Sequence, residues 1–144
     1  MTTRRNFIKT TLTSSAGVAI TGLGFTASSY ARIKGSNERI NVAVIGTGTQ
    51  GKAHINSWCR LKDTRNVLLK TICDTDELHW PEAVKLTTDK SGNKPATEWD
   101  MRKVFDDKDI HSVSFATPNH WHALGTIWAC QAGKHVYVEK PVSH

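Results

Sequence analysis

The segment INVAVIGTGTQG, residues 40–51, constrains the fold more than any other part of this 144-residue chain. Its first half is a short β-branched run that ends in glycine, which is typical of a strand buried on both faces of a parallel sheet. Its second half places Gly46, Gly48 and Gly51 in a G-x-G-x-x-G spacing before a predicted helix over residues 50–62. This arrangement predicts a tight turn that lets a phosphate approach the backbone and lets the helix pack on the strand.

The glycine-rich loop indicates a site for the phosphates of a dinucleotide. The N–H groups of Thr49 and Gln50 would face those phosphates at the positive end of the helix. Asp74, at the end of the next predicted strand, can accept hydrogen bonds from an adenosine ribose and would repel a 2′-phosphate, which favours NAD over NADP. Two alternatives remain open: a loop that is only a packing turn, and an Asp74 that only caps the following helix, as Asp76 could do equally well.

Residues 39–144 alternate strands and helices after a linker at residues 32–38. The further strands are predicted at 67–74, near Ala96, at 112–117 and at 135–141, and the further helices at 76–86, 101–107 and 119–132. This alternation predicts an α/β fold with a doubly wound parallel sheet. Neither a sixth strand nor a second domain follows, so we expect an incomplete sheet and an N-terminal fragment of a longer protein.

The sequence also predicts one helix face, one loop and the environment of the cysteines. The helix over 119–132 carries Leu124, Ile127 and Trp128 on one apolar face. The stretch 88–97 is rich in turn-forming residues, which predicts a loop there. The three cysteines match no metal or redox spacing, so we expect all of them to be small buried apolar residues.

The first 31 residues have the basic, apolar and small-residue parts of an export signal. The motif TRRNFIK closely resembles the twin-arginine export motif, with Ile8 in place of the usual leucine, and Ala31 offers a cleavage site. The alternative is an amphipathic helix, which the Gly and Ser content disfavours. We therefore expect a periplasmic or otherwise exported bacterial protein that passes through the twin-arginine translocase.

The formal charge of +6 does not indicate a nucleic-acid partner, because three of the surplus basic residues lie in the predicted signal and the remaining surplus is small. No apolar run reaches the roughly 18 residues that a spanning helix needs. We therefore expect no stable membrane anchor.

Two further motifs end the last two predicted strands: ATPNHWHA, residues 116–123, and VEKPVSH, residues 138–144. Together with GTGTQG they resemble the Gfo/Idh/MocA oxidoreductases, the family of glucose–fructose oxidoreductase and inositol dehydrogenase. The resemblance covers about residues 38–144. It implies a Rossmann domain, here truncated, and a C-terminal α/β domain that carries most substrate contacts and through which family members often form homo-oligomers.

By this resemblance, four residues of ATPNHWHA would line the dinucleotide near its ribose and nicotinamide ends: Thr117, Pro118, Asn119 and His122. His120 and His122 alternate as metal ligands can, but no third ligand at a suitable spacing is evident, so no metal is expected. Trp121 and Trp128 are expected to pack rather than to stack on a ligand.

The same resemblance places Glu139 and Lys140 where the nicotinamide ribose meets the substrate. Lys140 would hydrogen-bond the reacting hydroxyl and either stabilise the developing alkoxide or relay its proton. Pro141 would fix the turn through a cis bond. Without the flanking motifs, Glu139 and Lys140 would be no more than an exposed ion pair after a strand. The family's acid–base His or Asp comes from beyond the Rossmann domain.

Export and NAD binding together predict a retained cofactor, because free NAD is scarce outside the cytoplasm. The cofactor must then be regenerated in place. One suitable chemistry oxidises a sugar or polyol hydroxyl and passes the hydride to a second sugar. The other oxidises transiently, eliminates a glycosidic substituent and reduces again, which is net hydrolysis. A non-catalytic module that binds NAD and carbohydrate is the alternative of another class. The fragment alone is expected to be inactive.

Overall fold

The computed structural model describes residues 39–143, so the predicted export signal, the linker and His144 lie outside the described residues. The strands are Ile40–Ile45 (β1), Val67–Cys73 (β2), Ala96–Glu98 (β3), Ser112–Phe115 (β4) and His135–Val138 (β5). The α-helices are Thr49–Arg60 (α1), Lys62–Arg65 (α2), Trp80–Ser91 (α3), Met101–Asp106 (α4) and His122–Gln131 (α5). Short 3₁₀ helices cover Glu77–His79 and Asn119–Trp121.

The five strands form one parallel sheet in the order β3-β2-β1-β4-β5. The chain therefore reverses its direction of winding between β1 and β4, and the carboxyl ends of these two strands flank a crevice where α/β proteins bind ligands. The predicted α/β fold with a doubly wound parallel sheet is confirmed.

The core lies on both faces of β1. Val42 and Val44 belong to a cluster with residues of α1, β2 and α3, whereas Ala43 and Ile45 belong to a cluster with residues of α4, β4 and α5. All four side chains are at most 2% exposed. The β-branched run therefore forms the central strand because both of its faces bury apolar surface.

The predicted loop over 88–97 is wrong at its start, because α3 continues to Ser91 and ends at Gly92, where φ is +66°. The hydroxyl of Thr87 donates to the carbonyl of Ala83, and that of Ser91 donates to the carbonyl of Thr87. These bonds bury two polar side chains inside the helix, so residues that favour turns do not end it.

Of the three residues predicted to form the apolar face of α5, Trp128 packs against the core and the other two do not. Leu124 and Ile127 are 39% and 53% exposed. The buried residues are His122, Gly125 and Ala129. An added Cβ at Gly125 would lie 2.6 Å from the Phe115 ring, so the absence of a side chain is what brings α5 against β4.

Two of the three cysteines are buried as expected, but Cys130 is exposed, which corrects the third expectation. Burial, aided by the charge of Glu98, raises the pKa of the Cys73 thiol to about 12. Cys73 is therefore an unreactive thiol at neutral pH and acts as a strand residue. Among the helices within residues 39–143, none has both the length and the apolar character to cross a bilayer.

Candidate functional site

The glycine-rich loop lies between the carboxyl ends of β1 and β4. Gly46 has a φ of +88°, and a Cβ there would lie 2.7 Å from the Ala116 backbone. A Cβ at Gly51 would overlap the carbonyl oxygen of Gly46, so α1 packs directly on the loop. A Cβ at Gly48 would meet nothing within 4 Å. Two of the glycines are thus required by the fold, and the third leaves backbone open to a ligand.

The first turn of α1 can bind an anion. Gly48 is the N-cap residue, no side chain caps the helix, and the first turn has no acidic residue. Thr49 and Gln50 are exposed. The backbone N–H groups at a helix start have no partner within the helix and carry partial positive charge. An open glycine before such a turn matches the requirements of a pyrophosphate.

Asp74 holds the loop from the side of β2. Its Oδ2 accepts from the N–H of Thr47 at 2.7 Å and from the hydroxyl of Thr47 at 2.8 Å. Its Oδ1 accepts from the N–H of Asp76 at 3.0 Å, and Nδ1 of His79 lies 3.4 Å from Oδ2. Asp76, in turn, caps the 3₁₀ helix by accepting from the N–H of Leu78. The cap is therefore Asp76, and Asp74 instead fixes the fully buried Thr47.

These contacts also determine the charge on Asp74. Burial raises its pKa, but the hydrogen bonds from the Asp76 N–H, from both groups of Thr47 and from His79 together lower it below its ordinary value. Asp74 therefore remains a carboxylate throughout the neutral range, as an acceptor for ribose hydroxyls must.

A cavity of about 640 Å³ opens beside the loop, a volume typical of small-molecule sites. The predicted site residues that line it are Gly46, Gly48, Asp74, Thr117 and Pro118. Trp121 and Trp128 line it too, and they also pack on each other, with ring centroids 6.5 Å apart. The Oγ1 of Thr117 is buried and has no partner in the described part of the chain.

His122 lies beneath the cavity rather than on its wall, and is 1% exposed. Its Nδ1 is 2.7 Å from the carbonyl oxygen of Pro141, and its Nε2 is 2.9 Å from that of Thr117. His122 thus links the turn after β5 to the loop after β4. Direct contact of His122 with a dinucleotide remains a prediction, as does that of the exposed Asn119. Residues 39–143 contain no cluster of three or more His, Cys, Asp or Glu that could hold a metal ion.

The turn after β5 reaches the glycine-rich loop through Glu139. Gln50 Nε2 donates to Glu139 Oε1 at 3.0 Å, and His54 Nε2 lies 2.8 Å from the same oxygen. The next residue, Lys140, is exposed and is joined to Pro141 by a cis peptide bond. Neither Glu139 nor Lys140 lines the cavity beside Asp74.

Sequence analysis did not identify Thr47 or His54 as part of the site. Thr47 lies between two motif glycines, where its side chain points into a buried contact. His54 lies four residues after Gln50, so on a helix the two side chains share one face. This spacing of four residues is the feature of the sequence that could have identified His54 as part of the site.

The fold and the site define a Rossmann-type dinucleotide-binding domain. The chain belongs to the Gfo/Idh/MocA family, because the family model described as "Oxidoreductase family, NAD-binding Rossmann fold" matches residues 40–144.

Three relatives illustrate what the chain is similar to. A glycosyl hydrolase family 109 protein of Shewanella pealeana is 30% identical over 97% of this chain and 34% of its own length. An alpha-N-acetylgalactosaminidase of Shewanella oneidensis is 34% identical over 74% of this chain and 23% of its own length. The structure of levoglucosan dehydrogenase in complex with NADH and levoglucosan is 34% identical, with a TM-score of 0.61 over 74% of this chain and 29% of that one. The chain therefore spans 23% to 34% of the length of these relatives.

Because Gly48 and Gly51 have different roles, we expect one alanine substitution to weaken NAD binding and the other to lower stability in the full-length protein. Gly48→Ala should change the free energy of unfolding by less than about 1 kcal/mol, because the added Cβ meets open space, yet weaken NAD binding at least about tenfold. Gly51→Ala should cost roughly 3 kcal/mol of stability, because its Cβ overlaps the Gly46 carbonyl. Chemical denaturation and calorimetric titration with NAD measure both effects. NAD binding by Gly48→Ala that equals the wild type would contradict the assignment.

The lowered pKa of Asp74 predicts a pH dependence of stability. Its ionised form contributes stability above the unfolded pKa, near 3.8, and this contribution is lost as pH falls through the lower folded value. Urea denaturation from about pH 5 downward should therefore show a smaller loss of stability for Asp74→Asn than for the wild type. The matched control is Asp89→Asn, which changes an exposed carboxylate on α3 and should behave as the wild type. An identical pH dependence for Asp74→Asn would show that the Thr47 contacts do not stabilise the carboxylate.

Proposed function

We propose that the full-length protein is an exported oxidoreductase that transfers hydride between NAD and a hydroxyl group of a sugar or polyol. The observation that carries the proposal is the open Gly48 backbone at an uncapped helix start, facing a cavity that Asp74 and Thr117 also line. A packing turn without a ligand would not need the open backbone.

The residues of the site fit NAD, and fit NADP less well. The N–H groups of Thr49 and Gln50 would hold the pyrophosphate, and the open Gly48 would allow its approach. Asp74 Oδ1 accepts one bond, from the Asp76 N–H, so it retains capacity for a ribose hydroxyl. The negative charges of Asp74 and Asp76 would oppose a 2′-phosphate.

Lys140 has the chemistry that alcohol oxidation requires. Within the described residues, nothing bonds to its ammonium group, which is exposed and adjacent to Glu139. NAD, when bound, supplies the hydride acceptor. Lys140 would donate a hydrogen bond to the substrate oxygen and stabilise the developing alkoxide, or, as a neutral amine, accept the proton of the hydroxyl and relay it. Thr117, Pro118 and Asn119 would complete the wall that positions the cofactor, and His122 would support that wall through its contact with the Thr117 carbonyl.

Retention of NAD follows from the predicted export signal. Twin-arginine export moves folded proteins, so the cofactor would be loaded before the protein leaves the cytoplasm. A nanomolar site with a typical on-rate of about 10⁶ M⁻¹s⁻¹ would lose NAD at about 10⁻³ s⁻¹, so an exported enzyme needs slower release than that. The catalytic cycle would then return NAD to its starting oxidation state.

A second candidate function is net hydrolysis of a glycoside by oxidation, elimination and reduction. The similarity to the glycosyl hydrolase family 109 protein and to the alpha-N-acetylgalactosaminidase supports this candidate. The similarity to levoglucosan dehydrogenase supports simple oxidation of a sugar hydroxyl. Both candidates use the same cofactor site and the same lysine. A module that only binds NAD and carbohydrate would not need the amine of Lys140.

Assays of the full-length wild type separate these candidates, and Lys140→Ala tests the role of the lysine that both reactions need. We expect sugar-dependent reduction of NAD, or release of nitrophenol from nitrophenyl glycosides, to fall at least about 100-fold while NAD binding is retained. Lys85→Ala, at an exposed position on α3, is the control and should leave both unchanged. Bound NADH that persists when a single sugar is supplied identifies a dehydrogenase, and glycoside cleavage without net formation of NADH identifies the hydrolytic cycle. Unchanged turnover in Lys140→Ala would remove this residue from the mechanism, and NAD binding without either reaction would favour the binding module.

A further inference from the structure

His54 connects α1 to the turn after β5 through one carboxylate oxygen. The histidine is 7% exposed, and its Nε2 lies 2.8 Å from Oε1 of Glu139. Gln50 donates to the same oxygen at 3.0 Å, and the hydroxyl of Tyr137 lies 3.5 Å from it. The Tyr137 ring also packs edge-on against the His54 ring, with centroids 5.4 Å apart. All three neighbours therefore fix the position of Oε1.

The hydrogen bond to Glu139 is the one polar interaction that His54 makes in the described part of the chain. A carboxylate only accepts, so Nε2 of His54 carries the proton. Its Nδ1 is buried and has no partner among the described residues. A buried imidazole is costly unless it is hydrogen-bonded, and an apolar side chain of similar size would fill the space more cheaply. The polar character of His54 is thus explained by Glu139.

The arrangement leaves the second oxygen of Glu139 available. No donor within residues 39–143 bonds to Oε2, although a carboxylate can accept about four hydrogen bonds. An oriented acceptor of this kind suits a hydroxyl group of the cofactor or substrate. Glu139 is also followed directly by Lys140, so whatever holds Glu139 restricts the backbone that carries the proposed catalytic amine.

We propose that His54 is a positioning residue, which holds Glu139 and thereby the Glu139–Lys140 turn in place for the reaction. This inference rests on the proposed function. The residue acts at a distance from the cavity beside Asp74 and couples the start of α1, where the phosphates would bind, to the turn at which hydride transfer would occur.

The same contacts affect the charge of Glu139. Hydrogen bonds from His54, first, and from Gln50, second, lower the pKa of Glu139 below its ordinary value. Loss of the His54 donor should therefore raise this pKa. If ionised Glu139 is required, the acid limb of the pH–activity profile should move to higher pH when His54 is replaced by an apolar residue.

The test uses kinetics of the full-length protein with four variants and one control. His54→Leu fills the space without a donor, whereas His54→Gln keeps an N–H that can reach Glu139. We expect His54→Leu to lower kcat/KM for NAD reduction at least about tenfold and to move the acid limb of the pH–activity profile to higher pH. We expect the activity of His54→Gln to lie within about threefold of the wild type. In a Glu139→Gln background, adding His54→Leu should change kcat/KM by less than about threefold, because the two residues act as a unit. His135→Gln, at the exposed start of β5, should match the wild type.

Two results would overturn the inference: an active His54→Leu with an unshifted pH profile, or a loss of activity that is just as large in the Glu139→Gln background. If His54→Leu does not fold, His54→Asn replaces it. Its amide is too short to reach Glu139, so it should be inactive where His54→Gln is active, and equal activity of the two would also overturn the inference. Failure of the proposed function is distinguishable, since it would appear in the wild type as an absence of NAD binding and reduction.

Discussion

The contact between Gly51 and the carbonyl of Gly46 is the constraint on which the rest of the site depends. With no side chain at position 51, α1 starts directly against the turn that ends β1. That placement puts the uncapped helix start over the carboxyl end of the central strand, where an anion can be bound. It also aims Gln50 and His54 at the end of β5.

Two carboxylates hold this helix start and its loop from opposite sides. Asp74, at the end of β2, accepts both groups of Thr47, and Glu139, after β5, accepts from Gln50 and His54. The pKa of each is lowered by the donors around it. The ends of β2 and β5 are thus tied to the loop and helix start after β1 by charge-assisted hydrogen bonds, which are stronger and more directional than apolar contacts. Such ties fix a binding site without the need for a ligand to order it.

The sequence predicts those features that depend on neighbouring residues. The five strands, the glycine-rich loop and the cap at Asp76 follow from local pattern, because burial on both faces and turn chemistry act over a few residues. The end of α3 was missed because Thr87 and Ser91 satisfy their hydroxyls within the helix. The buried face of α5 was missed because Gly125 makes room for Phe115, a contact between residues on different elements.

The predicted site shows the same division. Gly46, Gly48, Asp74, Thr117 and Pro118 converge on one cavity, as motifs at the ends of parallel strands should. Thr47 contacts Asp74 and His54 contacts Glu139, and each pair joins residues that are far apart in the sequence. A single sequence does not show which distant carboxylate a side chain will contact. The role of Lys140 rests on its motif and remains a proposal.

The most direct test of the account is to denature the full-length protein after purification, identify any released dinucleotide by mass and count it per chain. A site built as described, with the slow release that the proposed function requires, predicts about one NAD per chain and little NADP. A protein that releases no dinucleotide, and that fails to bind NAD when it is added back to the native form, would contradict the central claim.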